Sequence, residues 1–162
     1  MRVPGGARGV DYARRHVRVG WWSLVCFATI GIVLESLHGF KARAYLDVSN
    51  ETRRLMWTLG HAYGTLLAVI QIVFGLTLPR SFKLGPSDLR LVSLSLLGAS
   101  ILVPGGFLLG GLGADGGDPG AGVVLVPIGG SLLVWGLFWV ARATAGGSPP
   151  SSTRRSDIDH VI

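Results

Sequence analysis

The sequence predicts an all-α fold, a polytopic membrane protein with four transmembrane helices in an up-down bundle. Two observations carry this. Four apolar runs, at about residues 19–38, 55–78, 89–112 and 123–143, are each as long as a membrane crossing. The charged residues, only 15% of a chain that is 49% hydrophobic, lie mostly in the tails and between those runs. A soluble domain carries more charge and breaks its apolar residues into shorter periodic patterns.

The first eighteen residues hold Arg2, Arg8, Arg14, Arg15 and Arg18 and read as a basic cytoplasmic tail, with His16 solvated in it. The first span follows. Twenty residues at about 1.5 Å each cover about 30 Å, one hydrocarbon thickness. Trp21 and Trp22 open it, where amphipathic rings favour the interface. Ala42-Arg43-Ala44 has the form of a signal-peptidase site, but Glu35, His38 and Lys41 interrupt the approach to it. The second span ends at Pro79-Arg80. Spans three and four share an echo, Leu102-Val103-Pro104-Gly105-Gly106 and Leu125-Val126-Pro127-Ile128-Gly129-Gly130. A proline removes a backbone donor, so the echo predicts two bends, either splaying the bundle or framing a small polar cavity. Trp135 and Trp139 lie in the last half of span four. The segment from Thr144 onward is rich in Gly, Ser and Pro and reads as a disordered cytoplasmic tail.

Orientation follows from the basic residues. With the N-terminus inside, eleven Lys and Arg fall on the cytoplasmic side. Four, Lys41, Arg43, Arg53 and Arg54, fall on the other. Both termini are therefore expected in the cytoplasm, with the chain multi-pass in the inner (plasma) membrane. The four external cations need an explanation of their own. The net charge of +6 comes from these flanking residues, with no aromatic-interleaved basic stripe, so nucleic acid is not an expected partner. The single cysteine, Cys26, lies inside an apolar run and excludes an intramolecular disulfide.

Ionisable side chains near hydrocarbon are costly and mark candidate sites. In span one Ala28, Gly31, Glu35 and His38 share a helical stripe. In span two Arg54, Thr58, His61, Thr65 and Ala68 share another, with Gly60 and Gly64 forming a G-x-x-x-G beside it. Gln71, deeper on the glycine side, is expected to face protein. By helix rise Glu35 and His61 lie at similar depths, about 6 and 9 Å below the external interface. The candidate site is the polar intramembrane cluster Glu35, His38, Arg54 and His61, with Asp115 and Asp118 of the last external loop closing over it. Three readings stay open. Glu35 pairs with Arg54 or His61 as an internal clamp. His38 and His61 ligate a haem or a transition metal, Glu35 assisting. Glu35 and His61 pass protons to a cavity. Ser36 and Ser100 lack a base at a diagnostic spacing, so no catalytic residue is assigned.

Glu35-Ser-Leu-His38-Gly-x-Lys41, Arg53-Arg54 and His61-Ala-Tyr-Gly64 resemble small four-helix bacterial inner-membrane proteins of uncharacterised role that carry a histidine early in the second helix. The histidine-in-helix arrangement is also distantly similar to haem-bearing respiratory subunits, without their further histidine ligands. Neither resemblance transfers a functional residue. The leading expectation is a non-enzymatic membrane subunit or assembly factor, with the bilayer and a membrane-protein partner or a second copy as partners. The alternatives are a haem- or metal-binding redox or sensor protein and a proton or small-solute pathway.

Overall fold

The computed structural model describes residues 5–42, 45, 51–81 and 84–145. The described residues form four long helices: α1 (Gly5–Gly39), α2 (Glu51–Ser81), α3 (Pro86–Leu112) and α4 (Leu125–Ala145). A 3-10 turn, Ala121–Val124, leads into α4. All four helices are long and apolar enough to cross a membrane, so this is an all-α, multi-pass membrane fold.

Each helix packs on the next in sequence: α1 on α2, α2 on α3, and α3 on α4. Beyond these pairs α1 touches α3 only narrowly, and α1 and α4 do not form a packed pair. The bundle is thus an opened one, with two edge helices.

Close contacts fix the vertical register. Gly20 lies against Ile72, Phe27 against Gly64 and Gly31 against His61, so α1 and α2 run antiparallel. Gly60 meets Leu108 and Gly111 meets Trp57 between α2 and α3, while Gly129 meets Val103 and Gly136 meets Leu96 between α3 and α4. This register brings Arg14, Arg90 and Arg142, all exposed, to one end. His38 and Arg54 lie at the other. Trp21 and Trp135 come level with Gln71, just inside the arginines. From that level to His38 the rise is about 26 Å, close to one hydrocarbon thickness.

The largest departure from expectation is α1. Residues 5–18, read above as a tail, are its first turns, and the apolar span runs from Gly9 to Gly39. Ala13, His16 and Gly20 are buried, while Asp11, Arg14, Arg15 and Arg18 are exposed. The three- and four-residue spacing of the buried set is that of an amphipathic helix, and the charges ride its outer side. Ala13 joins Phe74, Leu78, Leu89, Val92 and Leu96 in an apolar cluster at the arginine end. The C-terminal tail from residue 146 lies outside the described residues, as does the sequence around Ala44.

The prolines divide. Pro104 is inside α3 and buried. Pro127 is the third residue of α4, where its missing N–H has no intrahelical partner to lose. Beside them α3 and α4 pack closely. Gly106 packs on Val126, and Gly129 packs on Val103.

Arg53, one of the four cations expected outside, is held by the fold itself. Its Nε donates to the carbonyl of Gly111 and its Nη2 to that of Ala114, both at 3.3 Å. These carbonyls close the C-terminus of α3, where orphan acceptors and the helix dipole favour a cation. The next turn, Asp115 to Asp118, is held by two backbone hydrogen bonds of 3.1 and 2.9 Å. Gly116 and Gly117 have φ of 57° and 94°, a left-handed pair that glycine adopts without Cβ strain. Thr52 donates from Oγ1 to the Gly117 carbonyl at 2.5 Å. Arg53→Ala is expected to lower stability by roughly 1–2 kcal/mol, with Arg53→Lys recovering part of it. Thermal unfolding in detergent measures this, and an unshifted midpoint would remove Arg53 from the cap.

Candidate functional site

Two polar centres emerge, one at each end. At the Arg54 end, α1 and α2 form an open groove of about 770 Å³ on their outer surface. Ala28, Gly31, Ile32, Ser36 and Phe40 line it together with Glu35 and His61. Gly31 matters by its size. A Cβ there would stand 2.3 Å from His61 Cε1, so the imidazole lies directly on the α1 backbone. His61 Nδ1 is 2.7 Å from the carbonyl oxygen of Phe27. A carbonyl only accepts, so Nδ1 carries the proton and donates. In the neutral ring Nε2 is then an acceptor, and it makes no hydrogen bond among the described residues.

A second cavity of about 570 Å³ adjoins, lined by Glu35, His38, Tyr45, Glu51, Thr52, Arg54, Leu55 and Thr58. Glu35 therefore borders both. It is exposed and has no hydrogen bond or ion pair among the described residues. The expected clamp is not formed. Arg54 instead pairs with Glu51, one helical turn away, at 3.5 Å. The hydrogen bond His61 makes among the described residues is the one from Nδ1 to Phe27. Glu35 and His61 share a groove without touching through a hydrogen bond.

The other predicted residues are placed as follows. His38 is exposed and packs edge-on to Tyr45 at 6.4 Å, and Tyr45 stacks on Trp57 at 6.4 Å. His38 and His61 thus open onto different cavities. No group of three potential metal ligands from His, Cys, Asp and Glu comes together among the described residues. The Asp115–Asp118 turn reaches this end through Thr52. Thr65, one turn along α2 from His61, has a buried hydroxyl with no partner among the described residues.

The second centre is at the arginine end, and sequence reasoning missed it. His16 is fully buried rather than solvated, between Gln71 of α2 and Ser93 of α3. Gln71 donates from Nε2 to the carbonyl of Leu96 at 2.8 Å and to Ser100 Oγ at 2.6 Å. Those two acceptors orient the amide, so Gln71 Oε1 faces His16 and accepts from Nδ1. Nε2 accepts from the Ser93 hydroxyl at 2.8 Å. Phe74 meets the imidazole edge-on at 4.7 Å. Serine, histidine and amide stand in the order that nucleophile, base and orienting group take in hydrolases. Ser93 is wholly enclosed, however, so the arrangement is closed to a substrate. It joins three helices, linking α1 to both α2 and α3. Gln71 faces protein, as its position in span two predicts. His16 was legible only through the Ala13–His16–Gly20 spacing, which the surrounding arginines obscure.

No family model, characterised protein or solved structure matches the chain.

Proposed function

We propose that this protein is a non-enzymatic subunit or assembly factor of a larger membrane complex. It joins that complex along the lipid-facing side of α1 and α2. One observation carries the reading. The groove presents a carboxylate, Glu35, with no partner among the described residues, beside a histidine whose Nε2, an acceptor in the neutral ring, makes no hydrogen bond among them. Two acceptors at the edge of hydrocarbon call for a donor from outside the chain. A partner's transmembrane helix carrying a basic or amide side chain at that depth supplies it, and the small, exposed Ala28 leaves room for close approach. The same reading takes the membrane to be a cell's inner (plasma) membrane and the Arg142 end to be cytoplasmic, from the distribution of Lys and Arg.

The test is photo-crosslinking in native membranes from probes at Ile32 and Ser36, with Ile101, exposed on α3 away from the groove, as control. Specific protein adducts are expected from the first two and not from Ile101. They should disappear in Glu35→Leu, which keeps the bulk and removes the charge. Adducts that persist in Glu35→Leu, or arise equally from Ile101, would sink the proposal.

A further inference from the structure

α4 has α3 as its packed helical neighbour, and its opposite side is uncovered. A groove of about 700 Å³ runs along that side, lined by Pro127, Gly130, Ser131, Val134, Trp135 and Phe138. Arg142 follows Phe138 and Trp135 on the same stripe, one and two turns further on. It is exposed, and its guanidinium is held over the Trp139 ring, 5.9 Å from the centroid. Trp139 is itself flanked by Trp135 at 6.0 Å and Phe138 at 6.3 Å. The cation is therefore placed on an aromatic base at the foot of the groove instead of extending freely into water.

The length of the groove identifies its occupant. From Pro127 to Phe138 the helix rises about 16 Å, half of a hydrocarbon core of about 30 Å. The groove starts near mid-bilayer and ends in the headgroup layer, where the register sets Arg142 level with Arg90 and Arg14. That is the extent of one leaflet. A partner helix crossing the whole bilayer would need a longer groove than this one, whose lining ends at Pro127 although the helix continues through the 3-10 residues Ala121–Val124. An acyl chain fits the apolar half-length, and a phosphate is the group that a guanidinium at its foot recognises.

We propose that this groove binds one anionic phospholipid of the leaflet at the Arg142 end, its acyl chain along Val134 and Phe138 and its phosphate on Arg142. The site is separate from the Glu35 groove and does not depend on the function proposed for it.

Binding is tested on the full chain, purified in detergent and delipidated. It is offered phosphatidylglycerol or phosphatidylcholine with the same acyl chains, and retained lipid is counted by native mass spectrometry. Phosphatidylglycerol should be held roughly fivefold more tightly, the worth of one basic residue near a lipid surface. Arg142→Gln should remove that preference without shifting the thermal midpoint. Gly130→Trp should reduce retention of both lipids, since nothing stands within 4 Å of a Cβ at that position and the ring would fill the groove. Glycerol 3-phosphate alone should not compete. Equal retention of the two lipids, a preference that survives Arg142→Gln, unchanged binding in Gly130→Trp, or displacement by glycerol 3-phosphate would each overturn the site.

Discussion

Gly20→Val is expected to separate α1 from α2 and to cost the fold roughly 3 kcal/mol or more, the upper range for overpacking. A Cβ at Gly20 would lie 2.6 Å from Ile72 Cγ1, 2.8 Å from the Ala68 carbonyl oxygen and 2.9 Å from the Ile72 nitrogen. Two of those three atoms are backbone, so no change of rotamer relieves the clash. The same crossing is tight from the other side. A Cβ at Gly75 would stand 2.7 Å from the Ala13 carbonyl oxygen and 2.9 Å from the Val17 nitrogen. Gly20, one turn after His16, and Gly75, packed between Ala13 and Val17 at the level of His16, bring the helix backbones together, so widening the crossing also pulls His16 away from Gln71. Gly105→Ala is the control. Nothing lies within 4 Å of its Cβ, and removing a glycine from a helix interior stabilises by up to about 1 kcal/mol. Reversible unfolding in mixed micelles, followed by circular dichroism, separates the two. A Gly20→Val protein with the wild-type midpoint would mean that the crossing is looser than described.

His16→Ala is expected to be the most damaging of the histidine replacements, at roughly 2–4 kcal/mol. It strips Gln71 Oε1 of its donor and Ser93 of its acceptor, both fully buried, and it removes the ring that Phe74 packs against. His61→Ala loses one hydrogen bond, to Phe27, from a half-buried position, and should cost about 1 kcal/mol. His38, exposed and in ring contact with Tyr45 alone, should change little. Ser93→Ala leaves His16 Nε2 unpaired, so it too should destabilise. The double replacement of His16 and Ser93 should cost clearly less than the sum of the singles, because each single leaves the other's group orphaned. Additive losses, or a His61→Ala protein weaker than His16→Ala, would contradict the junction. The order matters because residue chemistry alone directs attention to His38 and His61, which lie inside an apolar span or at its edge, and not to a histidine among arginines.

That contrast marks the division between sequence and tertiary structure. Hydropathy is a property of a contiguous window, so the number of spans and their order follow from the residues in order, and the start of the first does not. The helical period also places Ala28, Gly31 and Glu35 on one stripe, and they do line one groove. A window average fails where a helix is charged on one side and packed on the other, which is why the first turns of α1 read as a tail. Partner choice was beyond it altogether. Whether Glu35 meets Arg54, His61 or nothing depends on helix rotation and register, and these are set by backbone contacts between residues some fifty positions apart, such as Gly20 with Ile72 and Gly75 with Ala13. The same contacts carry His16 into the bundle, against Gln71 and Ser93. Once there, the direction of each hydrogen bond follows from one carbonyl and one hydroxyl on α3, which orient Gln71 and through it the histidine ring. Apolar length decides that a helix crosses the membrane. Only the assembled backbone decides which polar group it delivers to which neighbour, because that is fixed by contacts of ångström precision between distant parts of the chain.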